Sequence, residues 1–149
     1  MVGSVPLAAQ SAKTVKIDDL QKMMEQKSDK ILVMNFWATW CAPCIKELPQ
    51  FEQLTASRND VEVNLISIDL DLDPNPDKVY RFIARKKLKS TVYLLDERDA
   101  NSWIDKIDTS WEGAIPATLV VNQETGKRKF VSKELKEGEL EQLINSVKQ

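Results

Sequence analysis

The sequence predicts a single α/β domain in which helices flank a mixed central sheet. Apolar runs of strand length alternate with segments of helix length, which favours parallel strands joined by right-handed crossovers. The last two predicted strands instead flank a five-residue turn, which indicates an antiparallel hairpin. The 149 residues are 42% hydrophobic and 30% charged, a composition typical of a globular domain with one core.

The elements of the first part of the chain follow from apolar spacing and from turn residues. Residues 15–17 alternate between apolar and polar side chains and predict a short strand, after which Asp18 is positioned to cap a helix. The nearly continuous apolar run at residues 31–37 predicts a central strand that is covered on both faces. A helix follows from about Cys41, and Pro49 inside it predicts a kink because proline lacks a backbone donor.

The middle of the chain repeats this alternation. Residues 61–68 predict a second buried strand, which ends at an acidic, proline-containing turn over residues 69–76. This turn lacks the glycine and the final glutamate of an EF-hand, so we interpret it as a solvated loop rather than a cation site. Residues 77–88 then predict an amphipathic helix, residues 91–95 a strand and residues 101–107 a short helix.

The last part of the chain predicts the hairpin and a closing helix. Residues 117–121 and 129–131 have strand character and flank the turn at residues 122–126. Gly138 then leads into a helix over residues 139–148, whose apolar side chains lie on one face.

The cysteine and histidine content excludes several kinds of chemistry. Only Cys41 and Cys44 are present, and the chain has no histidine. Zinc sites built from these residue types need about four ligands, c-type haem attachment needs a histidine after the second cysteine, and Cys–His or Ser–His–Asp catalysis also needs one. No metal or cofactor is therefore predicted, and the net charge of −2 disfavours a nucleic-acid partner. Redox chemistry of the two thiols remains.

The positions of the two cysteines predict different roles. Cys41 follows a buried strand and begins a helix, where unpaired N–H groups and the helix dipole favour a thiolate. Cys44 lies about one turn further on, so Cys41 is expected to attack a disulfide and Cys44 to resolve the mixed disulfide. Pro43 stiffens the first helical turn, and Trp40 offers an apolar surface beside Cys41. A purely structural Cys41–Cys44 disulfide is the alternative, but so short a loop gains little stability.

Two segments resemble a known family. Residues 35–49, Asn-Phe-Trp-Ala-Thr-Trp-Cys-Ala-Pro-Cys-Ile-Lys-Glu-Leu-Pro, are similar to the active-site segment of the thioredoxin superfamily, and in particular of TlpA/ResA-like extracytoplasmic thiol–disulfide oxidoreductases. Residues 113–120 resemble the family's second motif, and the likeness extends over about residues 14–148. It implies a thioredoxin-like fold with an inserted helix–strand between its two halves. It also implies that Ala42 and Pro43 complete the motif and that a cis Ile115–Pro116 bond presents the Ile115 backbone to the substrate.

The chain departs from this family at two positions. Thioredoxin has a buried aspartate where this chain has Asn35, and some relatives have glutamate between the cysteines where this chain has Ala42. Glu47, one turn after Cys44, is the nearest carboxylate in the sequence and is a candidate for proton transfer. An ion pair with a basic side chain, or a role in helix packing, is the alternative interpretation of Glu47.

The residues between the cysteines also bear on the direction of electron flow. Strongly oxidising members of the superfamily have a histidine beside the second cysteine, and Ala42-Pro43 supplies no such group. We therefore expect a reductase of protein disulfides, such as those of secreted proteins or apocytochromes, that receives electrons from an upstream thiol reductant. A peroxiredoxin-like peroxidase and a redox-switched binding module or chaperone without turnover are the alternatives.

The ends of the chain lead to expectations about its extent and location. We expect a thioredoxin-like domain over residues 14–149, preceded by a disordered segment at residues 1–13 that is a signal remnant or the start of an expressed fragment. The expected protein is a monomer in the periplasm or another extracytoplasmic space. A membrane anchor outside this sequence is one further option, and a cytoplasmic location is the alternative.

Overall fold

The computed structural model describes residues 12–148, which contain six strands and five α-helices. The strands are β1 (Lys13–Val15), β2 (Ile31–Trp37), β3 (Val61–Ser67), β4 (Thr91–Leu95), β5 (Ala117–Asn122) and β6 (Arg128–Val131). The helices are α1 (Ile17–Glu25), α2 (Ala42–Ser57), α3 (Asp77–Lys86), α4 (Ile104–Ile107) and α5 (Glu139–Ser146). Two short 3-10 turns lie at Asp69–Asp71 and Ala100–Ser102.

The strands form one mixed sheet in the order β1-β4-β3-β2-β5-β6. The first four strands of this order are parallel, while β5 is antiparallel to β2 and to β6. The mixed sheet and the hairpin of β5 and β6 are therefore confirmed. The predicted inserted helix–strand corresponds to α3 and β4, because β4 lies between β1 and β3 in the sheet.

Strand β2 lies at the centre of the domain, and all seven of its residues are buried. Alternate side chains of a strand point to opposite faces, so β2 contributes to two cores. Val33 and Trp37 pack in one core with side chains of α2, α3 and α5. Met34 and Phe36 pack in the other core with α1, α4 and Trp111, whose ring centroid lies 4.9 Å from that of Phe36. This double burial explains why the apolar run of β2 is nearly continuous.

The first helix differs from the prediction. The strand β1 ends at Val15 and α1 begins at Ile17, so Asp18 lies within the first turn rather than at the cap. The Asp19 carboxylate accepts the backbone N–H of Lys16 at 2.9 Å, which fixes the start of the helix two residues earlier than a cap at Asp18 would. The predicted helix at residues 101–107 is likewise divided into a 3-10 turn and the short α4.

The segment before β1 is described only at its end. Residues 1–11 of the segment predicted to be disordered lie outside the described residues, while Ala12 is buried and Lys13 begins β1. Within residues 12–148, no helix has the length and apolar character that a bilayer span requires.

Candidate active site

The two cysteines lie where the central strand turns into α2. The backbone N–H of Cys41 bonds to the carbonyl of Ala38 at 3.1 Å, which closes a tight turn after β2. Cys41 is the N-cap of α2, and its Sγ accepts the backbone N–H of Cys44 at 3.3 Å. Pro43 lies in the first turn, where a missing N–H costs no helical hydrogen bond. The predicted helix start is thus confirmed, and Cys41 Sγ is in contact with a helix N-terminal donor.

The cysteines form a disulfide with different exposure at its two ends. The Cα atoms of Cys41 and Cys44 are 5.3 Å apart. In this oxidised state Cys41 is 6% exposed and Cys44 is fully buried, while Trp40 beside them is 52% exposed. Both cysteines are buried in this state, so the attacking role of Cys41 and the resolving role of Cys44 stay predictions. The accessibility of Cys41 in the reduced protein stays a prediction.

The loop before β5 reaches the same end of the sheet. The Ile115–Pro116 bond is cis, as the resemblance implies. Ala117 pairs with Phe36, so Pro116 lies opposite the last residue of β2, where the chain turns toward Cys41. The buried indole of Trp111 donates to the Ala114 carbonyl at 2.8 Å and fixes the loop one residue before Ile115.

Gly113 allows this loop to approach α4 closely. Its φ is +96°, and a Cβ at this position would lie 2.9 Å from Cδ1 of Ile104. Both the backbone conformation and the space therefore favour glycine here.

Glu47 is a buried carboxyl group one turn after Cys44. It is 1% exposed, and its two oxygens accept hydrogen bonds from Asn35 Nδ2 at 2.9 Å and from the Leu135 N–H at 2.7 Å. Burial raises the pKa of Glu47 from 4.5 to about 7, although both hydrogen bonds act in the opposite direction. No ion pair found within residues 12–148 involves Glu47, so the ion-pair interpretation lacks support. Near neutral pH the protonated and the ionised forms of Glu47 are therefore both populated.

Asn35 connects this carboxyl to the sheet. Its amide nitrogen also lies 3.1 Å from Oγ1 of Thr118 on β5, and the residue is fully buried. The sequence indicates Asn35 only as the replacement for an aspartate and gives no sign of its contact with Glu47. The two residues are twelve positions apart, so no local pattern signals the pair.

Asp69 is a second buried carboxylate that the sequence pattern did not reveal. It is 5% exposed and accepts the backbone N–H of Thr39 at 3.1 Å, the Thr39 hydroxyl at 2.5 Å and the Ser67 hydroxyl at 2.5 Å. The interpretation of residues 69–76 as a solvated loop is therefore wrong at Asp69, whose side chain turns inward to the loop before Cys41. No group of acidic or cysteine side chains suited to a metal ion occurs within residues 12–148.

Comparison with known sequences identifies relatives over most of the chain. A family model described as the AhpC/TSA family matches residues 4–127. The thiol-disulfide oxidoreductase ResA of Bacillus cereus is 31% identical over 126 residues, which are 81% of this chain and 68% of the relative. The sporulation thiol-disulfide oxidoreductase A of Bacillus subtilis is 32% identical over 55% of this chain and 48% of its own length. A thioredoxin of Mycolicibacterium smegmatis is 34% identical over 47% of this chain and 62% of its own length. The chain thus spans about half to two thirds of these curated relatives.

Solved structures support the fold. A thioredoxin-related protein from Neisseria meningitidis serogroup B superposes with a TM-score of 0.67 and 21% identity, covering 80% of this chain and 85% of that chain. StoA from Bacillus subtilis superposes with a TM-score of 0.58 and 24% identity, covering 80% and 83%. At these identities the likeness shows the thioredoxin-like fold.

Proposed function

The chain belongs to the AhpC/TSA family and is a TlpA/ResA-like member of the thioredoxin superfamily, and from this premise we propose that it is a thiol–disulfide oxidoreductase that reduces protein disulfides. One observation carries the proposal. Cys41 Sγ lies at the N-terminus of α2 and accepts the N–H of Cys44 at 3.3 Å. In the reduced protein the same donor faces a thiolate, which it stabilises together with the helix dipole.

Reduction of a substrate proceeds in two exchanges. The Cys41 thiolate attacks one sulfur of the substrate disulfide, a new S–S bond forms, and the released substrate thiolate takes up a proton. The Cys44 thiol then loses its proton and attacks Cys41 Sγ, which forms the disulfide of the enzyme and releases the second substrate thiolate. Two electrons pass from the enzyme dithiol to the substrate. An upstream dithiol restores Cys41 and Cys44 by the reverse exchange.

Glu47 is the proposed proton acceptor in the second exchange. Cys44 and Glu47 are buried one turn apart on α2, so they share a face of the helix. A carboxyl group with a pKa of about 7 can take the proton of a buried thiol and return it at neutral pH. The amide of Asn35 orients Glu47 and cannot itself accept this proton through its nitrogen.

The residues around the disulfide support the reducing direction. Ala42 and Pro43 place no basic side chain between the cysteines, so little stabilises the reduced form beyond the helix terminus. A strongly oxidising member of this superfamily has a reduction potential of about −120 mV, and we propose a potential well below that value for this protein. The proposed partners are disulfides of secreted proteins or apocytochromes and an upstream thiol reductant, in an extracytoplasmic compartment, with the enzyme acting as a monomer.

The supporting roles follow from position. Trp40 and the Ile115 backbone are proposed to contact the substrate, because both lie at the end of the sheet that carries Cys41. Pro116 is proposed to hold the Ile115 backbone in place for that contact, and Pro43 to stiffen the turn between the cysteines.

A turnover assay tests the proposal. The protein is incubated with a disulfide-bonded protein and an excess of a dithiol donor, and the appearance of reduced substrate is followed. Cys41→Ser is expected to abolish turnover, whereas Cys44→Ser is expected to accumulate a mixed disulfide that can be isolated and identified by mass spectrometry. Absence of turnover by the intact protein contradicts the proposal and favours a binding module.

A peroxide assay covers the second candidate. A peroxiredoxin-like peroxidase is the second candidate because peroxiredoxin-like folds share this extended architecture, although the Pro-x-x-x-Thr-x-x-Cys pattern of peroxiredoxins is absent from this sequence. Consumption of peroxide faster than reduction of a protein disulfide would assign the chain to the peroxidases instead.

A further inference from the structure

Two large apolar side chains stand out on the surface, one directly before Cys41 and one in the loop after β3. Among residues 12–148, Trp40 is 52% exposed and Leu72 is 71% exposed, and no other large hydrophobic side chain is as open to solvent. Trp40 directly precedes Cys41, while Leu72 follows the 3-10 turn after β3. A single exposed leucine is ordinary, but two exposed apolar side chains on loops that contact each other at the start of α2 need an explanation.

Buried Asp69 joins the two loops that carry these side chains. Its carboxylate holds the backbone and the hydroxyl of Thr39, the residue before Trp40. Its own carbonyl accepts the N–H of Leu72 at 3.1 Å. A second link runs from the Ile68 N–H to the Trp37 carbonyl at 2.9 Å. Trp40 follows Thr39 directly and Leu72 lies three residues after Asp69, so the contact between Asp69 and Thr39 connects the two loops that carry Trp40 and Leu72.

The residues that flank Leu72 in the sequence are acidic. Asp71 and Asp73 flank it, and Asp77 begins α3 a few residues later. Lys78 faces Asp73 at 3.9 Å, whereas no ion pair found within residues 12–148 involves Asp71. Lys46 on α2 is the basic residue nearest to Cys41 in the sequence and is exposed. The loop on the Leu72 side thus offers an apolar centre with an acidic rim.

We propose that Trp40 and Leu72 form one docking surface that binds the segment around the substrate cysteine, and that it selects segments with an apolar side chain beside the cysteine and lysine or arginine nearby. The inference rests on the proposed function, since the occupant is the polypeptide whose disulfide Cys41 attacks. Apolar contact with Trp40 and Leu72 holds the segment in place, and the Asp71 and Asp73 carboxylates attract its basic residues and speed association.

Matched disulfide peptides test the selection. Three peptides share their length and cysteine position. The lysine peptide has leucine beside the cysteine and lysine flanks, and the glutamate peptide has the same leucine with glutamate flanks. The serine peptide has serine in place of the leucine and keeps the lysine flanks. A small uncharged disulfide, bis(2-hydroxyethyl) disulfide, serves as the reference substrate. We expect the kcat/KM of the lysine peptide to exceed that of the glutamate peptide about tenfold at low salt, and the ratio to shrink toward one in about 0.5 M NaCl.

Variants assign the effect to the two loops. Leu72→Ser is expected to lower the kcat/KM of the lysine peptide several-fold more than that of the small disulfide. Leu72→Met is expected to restore the kcat/KM of the lysine peptide. Asp71→Asn/Asp73→Asn is expected to reduce the lysine-to-glutamate ratio to within about twofold. Asp18→Asn/Asp105→Asn removes two exposed charges from other helices and serves as the control that keeps the ratio of the unmodified protein.

The outcomes separate this inference from the proposed function. An unmodified protein that reduces the small disulfide but treats the three peptides alike, or variants that keep the peptide ratios, would overturn the docking surface alone. An unmodified protein that reduces none of the disulfides would overturn the proposed function and the docking surface together. A shift from dimer to monomer in Leu72→Ser, seen by sedimentation, would instead assign the surface to a second copy of the chain and overturn the proposal.

Discussion

Asn35 on β2 donates a 2.9 Å hydrogen bond to Oε1 of Glu47 on α2, in the turn that follows Cys44. Both residues are buried, so the bond connects the central strand to the helix that carries both cysteines. An amide at position 35 can satisfy a charged carboxylate without adding a second negative charge to the core. Two carboxylates in these positions would raise each other's pKa values. With asparagine at position 35, burial is the largest cause of the raised pKa of Glu47, and the Glu134 carboxylate adds a smaller increase.

The pH dependence of stability should report the titration of Glu47. Burial raises the pKa of Glu47 from 4.5 to about 7, so the folded chain keeps a proton that the unfolded chain has released. Its contribution to the free energy of unfolding is therefore unchanged below pH 4.5, decreases as the pH rises from 4.5 to about 7, and is constant above that range. The decrease amounts to about 3 kcal/mol. The Glu47→Gln variant should not show this decrease in the free energy of unfolding.

Urea denaturation over this pH range checks the titration. The amide introduced by Glu47→Gln has a single acceptor oxygen, so it can replace only one of the two oxygens that accept hydrogen bonds in the unmodified protein. The lost hydrogen bond is therefore expected to lower the free energy of unfolding of Glu47→Gln by the same amount at every pH. The change of the free energy of unfolding with pH is the quantity that reports the titration. Glu62→Gln, on an exposed position of β3, is the matched control and should keep the slope of the unmodified protein. Parallel curves for Glu47→Gln and the unmodified protein would show that Glu47 does not titrate between pH 4.5 and 7.

Glu47→Gln should also slow the resolving step. In a single turnover, release of substrate from the mixed disulfide requires Cys44 to lose a proton, and loss of a general base typically costs about 100-fold or more. Decay of the mixed disulfide, followed by acid quench, is expected to slow and to lose its dependence on pH near 7. The first attack by Cys41 should change much less. An unchanged decay rate and pH profile would remove Glu47 from the mechanism.

The two thiols of the reduced protein should differ in reactivity. Cys41 is the N-cap of α2 and Cys44 is fully buried, so iodoacetamide is expected to modify Cys41 and leave Cys44 unmodified. The pH profile of Cys41 alkylation should give a pKa below about 8.5, the value of a free cysteine. Peptide mapping identifies the labelled residue. An inert Cys41 at neutral pH would contradict the enzymatic proposal as a whole.

The features of this site that could be predicted lie in short sequence motifs, whereas the features that could not be predicted are contacts between residues far apart in the sequence. The Cys41–Cys44 motif and its place between β2 and α2 followed from contiguous residues, whereas the cis Ile115–Pro116 bond followed from the family resemblance. The contacts of Glu47 with Asn35 and Leu135 span 12 and 88 positions, and that of Asp69 with Thr39 spans 30. Such contacts depend on strand order, which alternation alone does not determine.

Asp69→Ala should destabilise the fold and loosen the loop before Cys41. The substitution leaves the Thr39 N–H and two hydroxyl groups without their acceptor, and each buried unsatisfied group typically costs about 1–3 kcal/mol. A lower unfolding midpoint in urea and faster amide exchange at Thr39 are expected. Asp71→Ala, two residues later and exposed, should leave both measurements near those of the unmodified protein. Equal amide exchange in the two variants would contradict the role of Asp69.

Gly113→Ala should be more harmful than Gly126→Ala. Both glycines have positive φ, +96° and +84°, so each substitution has a similar backbone cost of about 1 kcal/mol. A Cβ at position 113 also meets Ile104 Cδ1 at 2.9 Å, whereas nothing lies within 4 Å of one at position 126. Differential scanning calorimetry should show the larger decrease in melting temperature for Gly113→Ala. Equal decreases would mean that Ile104 moves aside freely.

Strand β6 is an edge strand of the sheet formed by residues 12–148. An edge strand exposes backbone donors and acceptors that can template further strands and lead to aggregation. Arg128 and Lys129 are both exposed on β6, so a second molecule that added a strand there would have to approach two positive charges. Neutralising the two residues should therefore increase the tendency of the folded protein to self-associate edge to edge, even though neither contributes to the core.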